Sequence, residues 1–133
     1  MRYLLDTNIC IYIAKRKPAG VLARLERLHA GDAGISVVTY FELVYGAWKS
    51  RAVDANLAAI EQLRDLLTVL ALGADAGAYY GRLRVQLEKA GSPIGGYDLL
   101  IAAHALSQRL ILVTNNVREF SRVDGLRIEN WAA

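Results

Sequence analysis

The apolar positions of this chain change period several times, and each change marks a switch between strand and helix. A short apolar run over residues 2–5 stops at Asp6-Thr7-Asn8, after which Ile9, Cys10, Tyr12 and Ile13 recur at helical spacing. This pattern predicts a buried strand followed by a helix opened by Thr7 or Asn8. Val21, Leu22, Leu25 and Leu28, with Arg24, Glu26 and Arg27 between them, predict an amphipathic helix over 19–30. A turn at 31–34 leads into Ile35-Ser36-Val37-Val38, read as a second strand for its β-branched valines. Thr39-Tyr40-Phe41-Glu42 then has the spacing of a capping box, and its helix runs to Lys49. Leu57, Ile60, Leu63, Leu66 and Leu67 mark the inner face of a helix over 53–67. A third strand covers 68–72, and Tyr79, Tyr80, Leu83 and Leu87 mark the inner face of a long helix over 74–90 that Gly91 ends.

A loop with three glycines and a proline, Gly91 to Gly96, runs into a helix that carries Asp98 in its first turn and is apolar on nearly every side as far as Leu106. A helix apolar all round is buried. Leu110 to Thr114 is a continuous apolar run, typical of a parallel strand covered on both faces. A short turn or helix at Arg118-Glu119-Phe120 follows, then a possible edge strand at Leu126-Arg127-Ile128, with Trp131 as a terminal anchor. Strands alternating with helices imply right-handed parallel crossovers. The expected architecture is α/β in three layers, a central parallel sheet of four to five short strands with helices on both faces.

Composition narrows the function classes. At 133 residues the length fits one domain over 1–133, and 54% hydrophobic against 22% charged residues excludes disorder. No uncharged run approaches the ~18 residues needed to span a bilayer. The acid at position 6 comes too early for the apolar region of a signal peptide, so a cytoplasmic protein is expected. Cys10 is the only cysteine, which excludes an internal disulfide or a cysteine zinc site, and its apolar neighbours make it a small core residue. The net charge of +3 and pI near 9.2 lean toward an anionic partner such as nucleic acid. Lys15-Arg16-Lys17 is a basic loop, either a solvated turn or an RNA contact.

The acids carry the chemistry. A parallel sheet gathers its strand ends on one edge, where ligands bind in open α/β folds. That topology brings Asp6, Glu42, the helix start at Asp98 and the Thr114-Asn115-Asn116 corner within reach of one another. Each acid also has a local explanation: Asp6 as a cap, Glu42 in its capping box, Asp98 as a first-turn acid favoured by the helix dipole. Three carboxylates about 4 Å apart repel by roughly 1–4 kcal/mol per pair, which a cation between them relieves. Hard oxygen donors without His or Cys favour Mg²⁺, with Mn²⁺ able to substitute. Such a site suits phosphodiester hydrolysis. His104, six residues after Asp98, faces away and reads as structural, and His29 has no evident partner.

Four motifs occur in order: Leu4-Leu5-Asp6-Thr7-Asn8, Thr39-Tyr40-Phe41-Glu42-Leu43-Val44-Tyr45-Gly46, Tyr97-Asp98-Leu99-Leu100-Ile101-Ala102-Ala103-His104 and Val113-Thr114-Asn115-Asn116. The set resembles the PIN-domain ribonucleases, and more narrowly the VapC toxins of type II toxin-antitoxin modules. The resemblance implies a PIN fold and a Mg²⁺-dependent endoribonuclease that arrests translation until a VapB-type antitoxin occupies it. It assigns the family's three acidic roles to Asp6, Glu42 and Asp98, with Asp6 and Asp98 as direct metal ligands. Where many PIN domains have a fourth acid, this chain has Asn116. Glu119, one helical turn further on, is the candidate substitute, and Thr114 the candidate to orient the phosphate or a metal-bound water. The segment from Thr114 to Trp131 is similar to the enteric branch that cuts initiator tRNA in the anticodon loop. The apolar helices and Tyr45 to Trp48 point to a homodimer, assembling with antitoxin into a heterotetramer or larger. Two other classes share part of the pattern. Mg²⁺-dependent phosphoryl-transfer folds also place acids at strand ends, but this first strand lacks a second aspartate and no Lys follows the last strands. A catalytically inactive interaction module would use the acids only as helix caps.

Overall fold

Tyr3, Leu4 and Leu5 are all buried, and because successive strand residues point to opposite faces they contribute to two cores at once. In the computed structural model, which describes residues Met1–Ala133, they form β1 (Tyr3–Leu5), the middle strand of a five-stranded sheet. The chain continues through α1 (Thr7–Lys15), α2 (Ala19–Glu26), β2 (Ala33–Ser36), α3 (Val37–Lys49), α4 (Val53–Leu66) and β3 (Thr68–Leu70). After a 3₁₀ turn at Ala74–Ala76 come α5 (Gly77–Lys89), α6 (Gly96–Ser107), β4 (Ile111–Val113), α7 (Val117–Phe120) and β5 (Ile128–Glu129). The strand order is β3-β2-β1-β4-β5 and every pair is parallel. The chain therefore winds outward from β1 to β3, then crosses to the other side of β1 for β4 and β5. Beyond the ends of β1 and β4, where the order reverses, lies the crevice that parallel sheets use for ligands.

Tyr3 and Leu5 pack against Ile9, Val21, Leu43 and Ile60 of α1 to α4, whereas Leu4 packs with Leu83, Leu99 and Phe120 of α5 to α7. The three-layer arrangement is the one the periodicity implied. The apolar α6 is buried as expected, with Ile101, Ala102, Ala103, His104 and Ala105 all inaccessible. Trp131 anchors the C-terminus: its ring lies edge-on to Tyr3 at 5.3 Å, and its indole N–H donates to Glu129 at 3.0 Å.

Several boundaries differ from the sequence reading. The second strand is Ala33–Ser36, not 35–38. Gly34, expected in the turn, lies inside it, and only glycine fits there, since a Cβ would come 2.8 Å from the Thr68 carbonyl of the adjacent strand. Ser36 then caps α3, its hydroxyl accepting from the Val38 N–H at 3.1 Å, so Thr39 is not a cap and Thr39 to Glu42 is not a capping box. Asp6, and neither Thr7 nor Asn8, caps α1, accepting from the Ile9 N–H at 3.0 Å. α2 stops at Glu26 and β3 at Leu70, both short of the expected ends. Tyr79 and Tyr80 are only partly buried and Leu66 is exposed, so the inner faces of α5 and α4 are narrower than the spacing indicated.

Candidate active site

The site grows from the end of β1. The Asp6 N–H donates to the Val113 carbonyl at 3.0 Å, which fixes the buried Asp6 beside the end of β4. Its Oδ1 is used in capping α1, leaving Oδ2 outside that bond. Burial raises the Asp6 carboxyl above the ordinary aspartate range and Glu42 adds to this, while the Thr114 hydroxyl and the Ile9 and Asn8 amides pull the other way. Thr114 is itself fully buried, and its Oγ1 accepts from the Asn116 N–H at 2.9 Å, which shapes the corner after β4.

Glu42 arrives from the second turn of α3, where its Oε1 accepts from the Thr7 hydroxyl at 2.9 Å. Asp98 arrives from the first turn of α6 and is half-buried. Its carboxyl is pushed up to about 6, first by burial, then by Glu119, Asp6 and Glu42 in that order. Glu119 reaches the same place from α7: Oε1 accepts from the Gly95 N–H at 3.0 Å and Oε2 from the Asn116 side-chain amide at 2.8 Å. The fold thus brings together Asp6, Glu42, Asp98 and Glu119 with Thr114 and Asn116. Lys15, Arg16 and Lys17 are exposed at the end of α1; Lys15 lines a groove that also contains Glu42, and the other two do not.

Every ion pair in the molecule lies elsewhere: Arg2–Asp32, Arg24–Glu129, Arg64–Glu61 and Arg84–Glu88. The clustered acids have no cationic partner, and the neighbouring carboxylates raise the cost of ionising Asp6 and Asp98. They do not form a finished cage, since no three His, Cys, Asp or Glu groups converge closely enough to hold a metal ion unaided. The donor set nevertheless fits a hard divalent cation, for it consists of carboxylate and hydroxyl oxygens whose mutual repulsion a cation would relieve.

One contact had no local signal in the sequence. His104 Nδ1 lies 2.8 Å from Ser36 Oγ, with both residues buried. Ser36 is also the cap of α3, so this bond joins the helix carrying Asp98 to the start of the helix carrying Glu42. Burial lowers the His104 pKa, and its Nε2 has no partner. A structural role for His104 agrees with this placement, but the partner is separated by 68 positions and no spacing rule reaches it. Burial likewise drives the Cys10 thiol well above its ordinary range, consistent with an inert core residue.

A family model described as PIN domain matches residues 3–126 of the chain. The chain belongs to the PIN-domain family. This PIN domain is 48% identical over 132 residues to the tRNA(fMet)-specific endonuclease VapC of Shigella flexneri, a match that covers 99% of each chain. It is 47% identical over 131 residues to Ribonuclease VapC2 of Haemophilus influenzae, covering 98% of each. Among solved structures it superposes on the DNA-bound VapBC complex from Salmonella typhimurium with a TM-score of 0.92, at 44% identity and 98% coverage of each chain. Within the family it is therefore a VapC-type PIN domain. No helix in it is long and apolar enough to cross a membrane.

Proposed function

We propose that this protein is the endoribonuclease toxin of a VapBC-type toxin-antitoxin module, that it cuts tRNA, and that its substrate is initiator tRNA, cut in the anticodon loop. The observation that carries this reading is the gathering of Asp6, Glu42, Asp98 and Glu119 at the reversal point of the sheet with no basic side chain paired to any of them. The tRNA assignment draws on the full-length likeness to the Shigella flexneri endonuclease.

Asp6 and Asp98 are the residues that would hold Mg²⁺ or Mn²⁺ directly, because both carboxyls are raised by burial and by neighbouring acids with no basic side chain paired to either, a cost that a bound cation would relieve. When bound, the ion activates a water and offsets charge on the scissile phosphate. Glu42 is steadied at one oxygen by Thr7, and its other oxygen accepts the proton of the attacking water. Glu119 is held at both oxygens by Gly95 and Asn116, so it sets the charge and shape of the cleft. Asn116 contributes a neutral amide where an acid would favour a second tightly held ion. Thr114, expected from the sequence to orient a phosphate or water, is fully buried and instead steadies Asp6 and shapes the corner at Asn116.

The same reading supplies a place for the antitoxin. A groove of about 340 Å³ between α1, α3 and α4 is lined by Thr7, Ile11, Lys15, Glu42, Ile60 and Leu63, and it meets the acidic cleft at Thr7 and Glu42. A VapB-type segment with apolar side chains occupies this groove and closes the cleft. Phe41, Tyr45 and Trp48 are 64%, 66% and 66% exposed along one stripe of α3. Such a stripe on a lone copy marks an interface, here between the two copies of a homodimer that builds a heterotetramer or larger with antitoxin.

The test is cleavage of total tRNA by purified protein in Mg²⁺, with 5′-end mapping of the products. The expected result is one cut in the initiator tRNA anticodon loop, lost in EDTA, restored by Mn²⁺, and reduced by about 10²–10³-fold or more in Asp98→Asn. Undiminished cleavage in EDTA or in the variant sinks the metal-dependent mechanism. Cleavage of rRNA alone removes the tRNA assignment and leaves the nuclease standing.

A further inference from the structure

In the layer opposite the antitoxin groove, α5 and the loop before α6 enclose a separate cavity of about 210 Å³, lined by Tyr80, Arg84, Leu87, Glu88, Ile94 and Leu99. It also takes in Gly96, so its floor is the same turn of α6 that carries Asp98. Anything seated there lies beside the acidic cleft.

The lining has two chemistries. Tyr80, Leu87, Ile94 and Leu99 give apolar walls, one of them an aromatic face. Arg84 supplies a guanidinium held in place, donating through Nη1 to the Tyr80 hydroxyl at 2.9 Å and through Nε to Glu88 at 3.4 Å. These bonds leave Nη2 and one Nη1 hydrogen for a ligand. An isolated phosphate has no use for apolar walls and is repelled by Glu88. A planar ligand that stacks, accepts from Arg84 and donates to Glu88 satisfies every wall. Among nucleobases, a carbonyl beside a ring N–H is present in guanine and uracil and absent from adenine and cytosine.

We infer that this cavity receives an unstacked guanine or uracil adjoining the scissile phosphate, and so selects the cut position. The inference rests on the endoribonuclease reading and adds to it a base-reading site; protein recognition of single-stranded RNA commonly works by stacking and edge hydrogen bonds of this kind.

The experiment uses short RNAs spanning the mapped cut, with one nucleotide at a time made abasic or exchanged G→A or U→C. In the wild-type protein one position should stand out, where the abasic change lowers kcat/KM by about tenfold. Arg84→Ala and Tyr80→Ala should lower kcat/KM on the unmodified RNA by a similar factor, and the abasic change should then cost nothing further. Tyr80→Phe keeps the stacking wall and releases Arg84, so it should lose the preference for G or U over A or C while keeping part of the abasic penalty. Arg84 is exposed and its replacement leaves the core intact, which thermal melting verifies. If the abasic and protein losses multiply instead of overlapping, or no position stands out, the subsite is wrong while the nuclease reading survives. If wild-type protein gives no mapped cut on total tRNA, the nuclease reading falls and the inference falls with it.

Discussion

At Asp98, partial burial and three acidic neighbours act in one direction and hold the carboxyl near 6, above the ordinary 3.8. A carboxyl whose folded pKa exceeds its unfolded value stabilises the fold fully below the unfolded value and loses that contribution as pH rises through the folded one. The metal-free protein should therefore gain thermal stability from this group as pH falls from 7.5 to 5. Asp98→Asn should raise the metal-free Tm at pH 7.5 and flatten that part of the profile. His104, whose lowered pKa works in the opposite sense, and the raised Asp6 are present in both proteins, so the difference between variant and wild type reports Asp98 together with its repulsion from Asp6. Mg²⁺ should raise the wild-type Tm at pH 7.5, do little at pH 5 and do little in the variant at either pH. A variant that melts below wild type at pH 7.5 without metal would show that Asp98 is not under electrostatic strain. Asp6 and Asp98 were visible in the sequence because each sits where an apolar element begins or ends. The bond between Ser36 and His104 was not, because one residue read as strand interior and the other as core.

Between elements, what the periodicity missed was mainly how they end. The β-branched Val37 and Val38 favour a strand, but Ser36 supplies a cap and the chain turns helical one residue after it. Removing the capping box takes away the local explanation of Glu42 and leaves its bond to Thr7, a tertiary contact across 35 positions. Three helices end with a residue in the left-handed region: Arg16 at φ 58, Gly91 at 69 and Arg109 at 57. At each, a following amide reaches back into the last turn: Lys17 to Tyr12, Ser92 to Leu87 and Leu110 to Ala105, at 3.1, 2.9 and 2.9 Å. Only Gly91 announced itself, since glycine is the residue expected there. Arg109→Gly should relieve the positive-φ cost and, after the added unfolded-state entropy, stabilise the fold by about 0.5–1 kcal/mol in urea denaturation. A loss of stability would mean that the exposed Arg109 side chain holds the end of α6 in a way the backbone does not explain.

Across the molecule, five parallel strands of two to four residues do one thing for function: they bring four acids from separate helices and loops to one edge. That convergence followed from the alternation of strand and helix, because parallel crossovers place every strand end on the same side. Glu119 was harder to place, since its position depends on Gly95 and Asn116. Gathering these acids also divides the charge: the chain has sixteen Lys and Arg against thirteen Asp and Glu, and four of the acids lie in the cleft. Outside the cleft, sixteen Lys and Arg stand against the remaining nine Asp and Glu, so the rest of the molecule is more basic than the net +3 indicates. Lys15 lines the groove that leads to Glu42, and the exposed Arg16 and Lys17 follow it at the end of α1. Each phosphate contact to a single strand adds about 0.7 to the salt slope. Replacing the three residues with Gln should therefore flatten the plot of log kcat/KM against log salt by about 1–2, with the Mg²⁺ requirement unchanged. A slope equal to wild type would mean that the loop is a solvated helix end and that the RNA approaches from the α5 and α6 side.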